Sequence, residues 1–154
     1  MIQCYKNKKV LITGNTGFKG TWLTLTLHKF GAKVIGYSDK APKPKSILSS
    51  QWLLKNIKQY YKKIEDKYSI EKVIYKEKPD IIFHLAAQPL VIESYKNPKE
   101  TFQVNIMGTV NLLDSVKDIN QFIPTVIITT DKVYATKIKK KYKEIDNLEG
   151  LDPY

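Results

Sequence analysis

The chain has 154 residues, 42% of them apolar and with ten Tyr, five Phe and two Trp; that is one domain's length with enough apolar mass for a core, which excludes a wholly disordered polypeptide. Its formal charge of +11 comes from 26 basic side chains, every one a lysine, and a chain without the planar fork of arginine is a poor reader of base edges, so no specific nucleic-acid partner is expected. No apolar run approaches the ~20 residues of a membrane helix, none after Lys8 and Lys9 could form the core of a secretion signal, and the single Cys4 can neither close an internal disulfide nor build a metal cluster, so a cytoplasmic chain with no membrane partner and no metal is expected.

Short apolar runs alternate with segments of helical period, the pattern of βαβ units around a parallel sheet. Lys9 to Thr13 reads as the first strand. Leu23, Leu27 and Phe30, spaced i, i+4 and i+7, mark a helix that Gly31 is placed to end. Lys33 to Tyr37 reads as strand two, and Pro42 and Pro44 break the chain after it. The stretch from Ser50 to Asp66 admits two readings. Leu53, Ile57, Tyr60 and Ile64 have helical spacing, yet a doubly wound fold wants its third strand near Tyr60 to Ile64. Ser69 is placed to cap a short helix through Ile70, Val73 and Ile74.

Ile81 to Leu85 suits a strand buried on both faces. Phe102, Ile106, Val110 and Leu113 form one stripe of a helix from about Lys99 to Asp118, and Thr125 to Thr129 is a fifth strand. The expected fold is therefore α/β, a doubly wound parallel sheet of Rossmann type with about five strands.

Thr13-Gly14-Asn15-Thr16-Gly17-Phe18-Lys19-Gly20 lies between the first strand and its helix, the context that makes a glycine pattern a phosphate-loop candidate. Gly14 would make the sharp turn, Gly17 would let a dinucleotide pyrophosphate approach the backbone, and Gly20 would let the helix lie close to the sheet. The helix start offers free amides and a positive dipole end to the phosphates. An acidic residue ending strand two commonly binds the adenosine ribose. Asp39 is suitably placed, but Ser38 stands beside it, and the spacing leaves open which of them faces the ribose. The absence of arginine favours NAD over NADP.

Four further segments accompany the glycine loop: His84-Leu85-Ala86-Ala87-Gln88, Asn105 to Leu113 with Gly108-Thr109 inside it, Thr129-Thr130-Asp131-Lys132-Val133-Tyr134, and Asp152-Pro153-Tyr154. Together they resemble the extended short-chain dehydrogenase/reductases, the NAD-dependent epimerases and dehydratases. Gly17-Phe18-Lys19-Gly20, Ala87 to Val91 and above all Thr130-Asp131-Lys132 are most similar to the CDP-glucose 4,6-dehydratases. The likeness spans nearly the whole chain and under half of that family's usual length.

The resemblance implies NAD contacts from Gly14, Thr16, Gly17, Phe18 and Gly20, from Ser38 or Asp39, and from Leu85, Ala86 and Ala87. It also implies a 4,6-dehydration of a nucleotide-sugar substrate, CDP-glucose in the full-length protein, with no net redox change. Tyr154 would act as base on the 4-hydroxyl with Thr130 bonded to the same oxygen, Asp131 would protonate the departing C6 hydroxyl, and Lys132 would take the C5 proton, for which burial would have to depress its pKa.

In the family a lysine four positions past the tyrosine lowers its pKa, and this sequence ends first; the chain is thus expected to be an incomplete NAD-binding domain without the sugar-nucleotide domain and to be inactive alone. The resemblance leaves homo-oligomerisation of a full-length protein open, as it does epimerase chemistry of the same superfamily and a non-catalytic NAD-binding module. His84 is assigned to the strand interior, Asn105 to a main-chain bond, and Gln88 either to substrate or to structure. Lys63 stands where the family carries an adenine-contacting acid.

Overall fold

The computed structural model describes residues 2–42, 44, 55–119, 121–135 and 141–154. Five strands, β1 (Lys9–Thr13), β2 (Lys33–Ser38), β3 (Lys58–Tyr61), β4 (Ile81–His84) and β5 (Thr125–Ile127), form one sheet in the order β3-β2-β1-β4-β5. Every neighbouring pair is parallel. The chain steps outward from β1 to β3, then crosses back to β4 and β5. Because such crossovers are right-handed, this reversal puts the helices that follow it on the face opposite the helix between β1 and β2.

Alternation along β1 shows the two faces. Val10 and Ile12 pack with Val34 of β2 and Leu27 of helix α1 (Phe18–Lys29), whereas Leu11 packs with Ile35, Tyr37 and Ile82 under Ile70, Val73 and Ile74 of helix α2 (Lys67–Glu77). Burial on both sides is why β1 and β4 read as near-continuous apolar runs. Beyond β4 come two short helices, α3 (Val91–Lys96) and α4 (Pro98–Phe102), a π-helical turn over Gln103–Met107, and helix α5 (Gly108–Lys117), whose Leu112 joins the α2 side of the core. Among the described residues no helix is long and apolar enough to cross a membrane.

Two expectations are corrected. The third strand is real but covers Lys58–Tyr61, and the helical alternative through Ile57, Tyr60 and Ile64 is not adopted; Leu53 lies outside the described residues. The cap of α2 is Asp66, which accepts from the Ser69 amide at 3.1 Å and from the Ser69 hydroxyl at 2.6 Å, so Ser69 is the residue being capped. The stripe Phe102, Ile106, Val110 and Leu113 lies on the outside of its helix, 45 to 52% exposed, while Thr101, Gly108, Leu112 and Ser115 face inward. Small residues win that face because the backbone comes close: a side chain at Gly108 would sit 2.7 Å from Ile64.

Candidate functional site

In open parallel sheets ligands lie at the carboxyl ends of the strands where the order reverses, here above β1 and β4. Gly14 ends β1 with φ +69°, and a Cβ there would stand 2.7 Å from the Leu85–Ala86 peptide, so both conformation and proximity demand glycine. Gly20 is closed more tightly, since a Cβ would fall 2.2 Å from the Gly14 carbonyl. Gly17 differs. Its own Cβ position is bounded only by that carbonyl at 3.3 Å, it precedes α1, and no side chain caps the helix it begins. The result is an open cradle beside unsatisfied helix-start amides, which suits a pyrophosphate. Thr16 is half-buried, while Gly17 and Phe18 are exposed.

At the end of β2 the pleat distinguishes the two neighbours. Ser38 turns inward, 3% exposed, donates to Asn15 Oδ1 at 2.5 Å and accepts from the Thr16 amide at 3.3 Å. Asn15 is itself fully buried and donates to Gln59 Oε1 at 2.7 Å. Gly36 makes room for both amides, because a Cβ would lie 2.2 and 2.3 Å from them. This amide network ties loop, β2 and β3 together. Asp39 points to solvent, half-exposed, with Lys40 3.5 Å away.

Beneath the turn after β4, Thr13 Oγ1 accepts from the amides of Leu85 and Ala86, each at 3.2 Å, and lies 2.7 Å from His84 Nδ1. His84 Nε2 lies 3.1 Å from Thr109 Oγ1, which donates to the Asn105 carbonyl at 2.7 Å. Burial in this apolar setting lowers the His84 pKa to about 4, so the ring is neutral at pH 7. Ala87 is exposed at the rim. Gln88 is held structurally: its amide donates to Asn105 Oδ1 at 2.8 Å, Asn105 Nδ2 returns a bond to the Gln88 carbonyl, and the Gln88 side chain bonds Leu90 and Thr101. Gln59 lies outside every motif, and the bonds that Thr13, Asn15 and Thr109 make from inside theirs are revealed only by the pairing of distant segments.

Thr130, Asp131 and Lys132 stand just past β5, where Thr130 caps a 3-10 turn by accepting from the Lys132 amide at 3.2 Å. Asp131 and Lys132 are exposed in this chain, so the burial expected around the lysine is not present among the described residues. The tail returns to the same end: Tyr134 bridges Leu148, its ring stacks on Tyr142 at 4.7 Å, and Tyr95 donates to the Leu151 carbonyl at 3.4 Å. Tyr154 is half-buried there, and no hydrogen bond among the described residues joins it to Thr130.

A second cleft, of about 470 Å³, opens at the opposite end of the sheet beside Lys9, Lys33, Lys58 and Glu77. Lys58 pairs with Glu77 at 2.7 Å and Lys9 donates to the Glu77 carbonyl. No group of three or more His, Cys, Asp or Glu that could hold a metal occurs among the described residues.

A parallel sheet ordered 3-2-1-4-5, with a glycine loop at its reversal point, defines a Rossmann-type nucleotide-binding fold. The family model described as GDP-mannose 4,6 dehydratase matches residues 11–154, and the chain belongs to that family. It is 41% identical over 151 residues to a CDP-glucose 4,6-dehydratase of Salmonella typhimurium, covering 97% of this chain and 42% of that protein. It is 33% identical over 140 residues to a CDP-paratose 2-epimerase of Salmonella typhi, covering 90% of this chain and 41% of that one. Among solved structures an epimerase from Methanothermobacter thermautotrophicus superposes with a TM-score of 0.83 at 30% identity, over 99% of this chain and 45% of that chain. The chain thus spans under half the length of these relatives.

Proposed function

We propose that the chain is the amino-terminal, NAD-binding part of a nucleotide-sugar 4,6-dehydratase that acts on CDP-glucose, with the sugar-nucleotide domain belonging to the portion of the relatives beyond the matched span. The supporting observation is that an open glycine cradle and Thr130-Asp131-Lys132 occupy the carboxyl ends of one parallel sheet, in a chain 41% identical to a CDP-glucose 4,6-dehydratase. Gly14, Thr16, Gly17, Phe18 and Gly20 would cradle the pyrophosphate, Leu85, Ala86 and Ala87 would border the cofactor, and Asp39 would take the ribose hydroxyls, since Ser38 is occupied with Asn15. A carboxylate at that position repels a 2′-phosphate, which favours NAD over NADP.

When bound, NAD would accept a hydride from C4 of the hexose and give it back at C6. Tyr154 takes the proton of the 4-hydroxyl, with Thr130 bonded to the same oxygen. Lys132 removes the C5 proton and gives it back to C5 when the hydride returns at C6, and Asp131 protonates the C6 hydroxyl, which leaves as water. The loss of water across C5 and C6 balances with no net redox change. The exposure of Asp131 and Lys132 here means that the remaining polypeptide must bury them for this chemistry.

Calorimetry with NAD and NADP tests the first half: NAD is expected to bind and NADP at least about tenfold more weakly, and absence of NAD binding would overturn the cofactor assignment. For the second half, the chain is joined to the remaining part of the Salmonella CDP-glucose enzyme. Formation of a 4-keto-6-deoxy product by the chimera, and none by the chain alone, is expected. Sugar inversion without dehydration would instead favour an epimerase.

A further inference from the structure

The hydrogen-bond pattern around His84 favours one assignment of protons. Thr13 Oγ1 accepts from two backbone amides, Leu85 and Ala86, and a hydroxyl oxygen has two lone pairs and one hydrogen. The Leu85 amide is shared with the Thr13 carbonyl at 3.1 Å, and with both amides on its lone-pair side the hydroxyl aims its hydrogen at His84 Nδ1, 2.7 Å away. Nδ1 is an acceptor, so the ring hydrogen sits on Nε2 and is donated to Thr109 Oγ1. Thr109 passes its own hydrogen to the Asn105 carbonyl. Each polar atom in this relay has a partner, and the ring is 2% exposed.

We propose that His84 is a positioning residue for the bound dinucleotide: as the neutral Nε2–H tautomer it acts through Thr13 to hold the Leu85–Ala86 peptide against Gly14. That peptide is the atom group closest to the first glycine of the cradle, 2.7 Å from where a Gly14 Cβ would be. The spacing between the glycine loop and the 85–87 turn, across which a dinucleotide must lie, is thus set by a ring that does not itself reach the cradle. A flipped tautomer would present Nδ1–H to an oxygen that already accepts from the Ala86 amide and shares the Leu85 amide with the Thr13 carbonyl, and would loosen the hydroxyl's hold on that peptide. The inference rests on the cofactor reading above, but its first test does not.

Nitrogen-15 spectra of the histidine rings in the full chain at neutral pH read the tautomer directly. A bare Nδ1 and a protonated Nε2 are expected for His84; an Nδ1–H ring or an imidazolium overturns the proposal. Calorimetric titration with NAD then compares Thr13→Val, Thr13→Ser, Thr109→Val and Thr109→Ser. The valine variants are expected to bind about tenfold more weakly or worse, with the serine variants within about threefold of the parent. Valine variants that keep the parent affinity would overturn it. If Thr13→Val does not fold, Thr109→Val at the far side of the ring carries the comparison, together with its expected shift toward Nδ1–H. A parent chain that shows the Nε2–H ring yet binds no NAD would sink the cofactor assignment and the positioning role while leaving the relay standing.

Discussion

Ser38 gives its hydroxyl hydrogen to Asn15, 2.5 Å away beneath the glycine loop, and this inward turn leaves Asp39 as the side chain that faces solvent at the end of β2. The two neighbours therefore should fail differently. Asp39→Ala is expected to weaken NAD about tenfold and erase most discrimination against NADP, with little change in melting temperature. Ser38→Ala should lower stability by about 1 kcal/mol through the lost buried bond, which a thermal melt measures alongside the titration.

The three glycines of the loop are likewise separable. Gly20→Ala forces a methyl to 2.2 Å from the Gly14 carbonyl, and Gly14→Ala adds a positive φ to a 2.7 Å clash with main chain. Both are expected to lose several kcal/mol or fail to fold. Gly17→Ala meets only one atom at 3.3 Å and has φ −73°, so its stability should change by no more than about 1 kcal/mol. Its NAD affinity should nevertheless fall, because the methyl fills the cradle. A Gly17→Ala chain that binds NAD as well as the parent would place the pyrophosphate elsewhere.

His84 makes a pH prediction. Its folded pKa of about 4 lies below the 6.5 of an exposed histidine, so between those values the unfolded chain binds more protons, and stability falls as pH falls. The contribution is complete above pH 6.5 and lost by about pH 4, a difference on the order of 3 kcal/mol. Urea melts across this window should show the slope. His84→Asn should be less stable at pH 7 yet flatter with pH.

The outward apolar stripe predicts self-association. Phe102, Ile106, Val110 and Leu113 are 45 to 52% exposed along one helical path, and clustered exposed apolar side chains favour association. Sedimentation of the chain should show concentration-dependent species, and Ile106→Gln with Val110→Gln should reduce them without lowering the melting temperature, since neither residue is in the core.

Much of this frame was legible from local pattern. The runs Lys9–Thr13, Lys33–Ser38 and Ile81–His84 declare themselves because each is buried on both faces, and Gly31 ends α1 with φ +80° where a left-handed residue was expected. Edge strand β3 is obscure because Lys58-Gln59-Tyr60-Tyr61 is half polar, its Gln59 turned to an amide network instead of a core. The period of the stripe on the helix is legible but its side is not: periodicity cannot show that Gly108 and Ser115 allow the closer approach. Nor can spacing decide between Ser38 and Asp39, which depends on the pleat at a strand end. The Thr13–His84–Thr109 relay joins residues 71 and 25 positions apart, and no local pattern carries such a contact.

The π-helical turn at Gln103–Met107 separates two duties along one helical path. Thr101 before the turn and Asn105 within it hold the Gln88 loop; downstream, Leu112 and Ser115 seat the helix on the sheet. Consecutive residues of a helix are offset by about 100°, so deleting a single residue within the turn would rotate one duty against the other. The wider turn works as a phase adjuster, and a frame-preserving deletion there should be more harmful than substitution of any one of its exposed side chains.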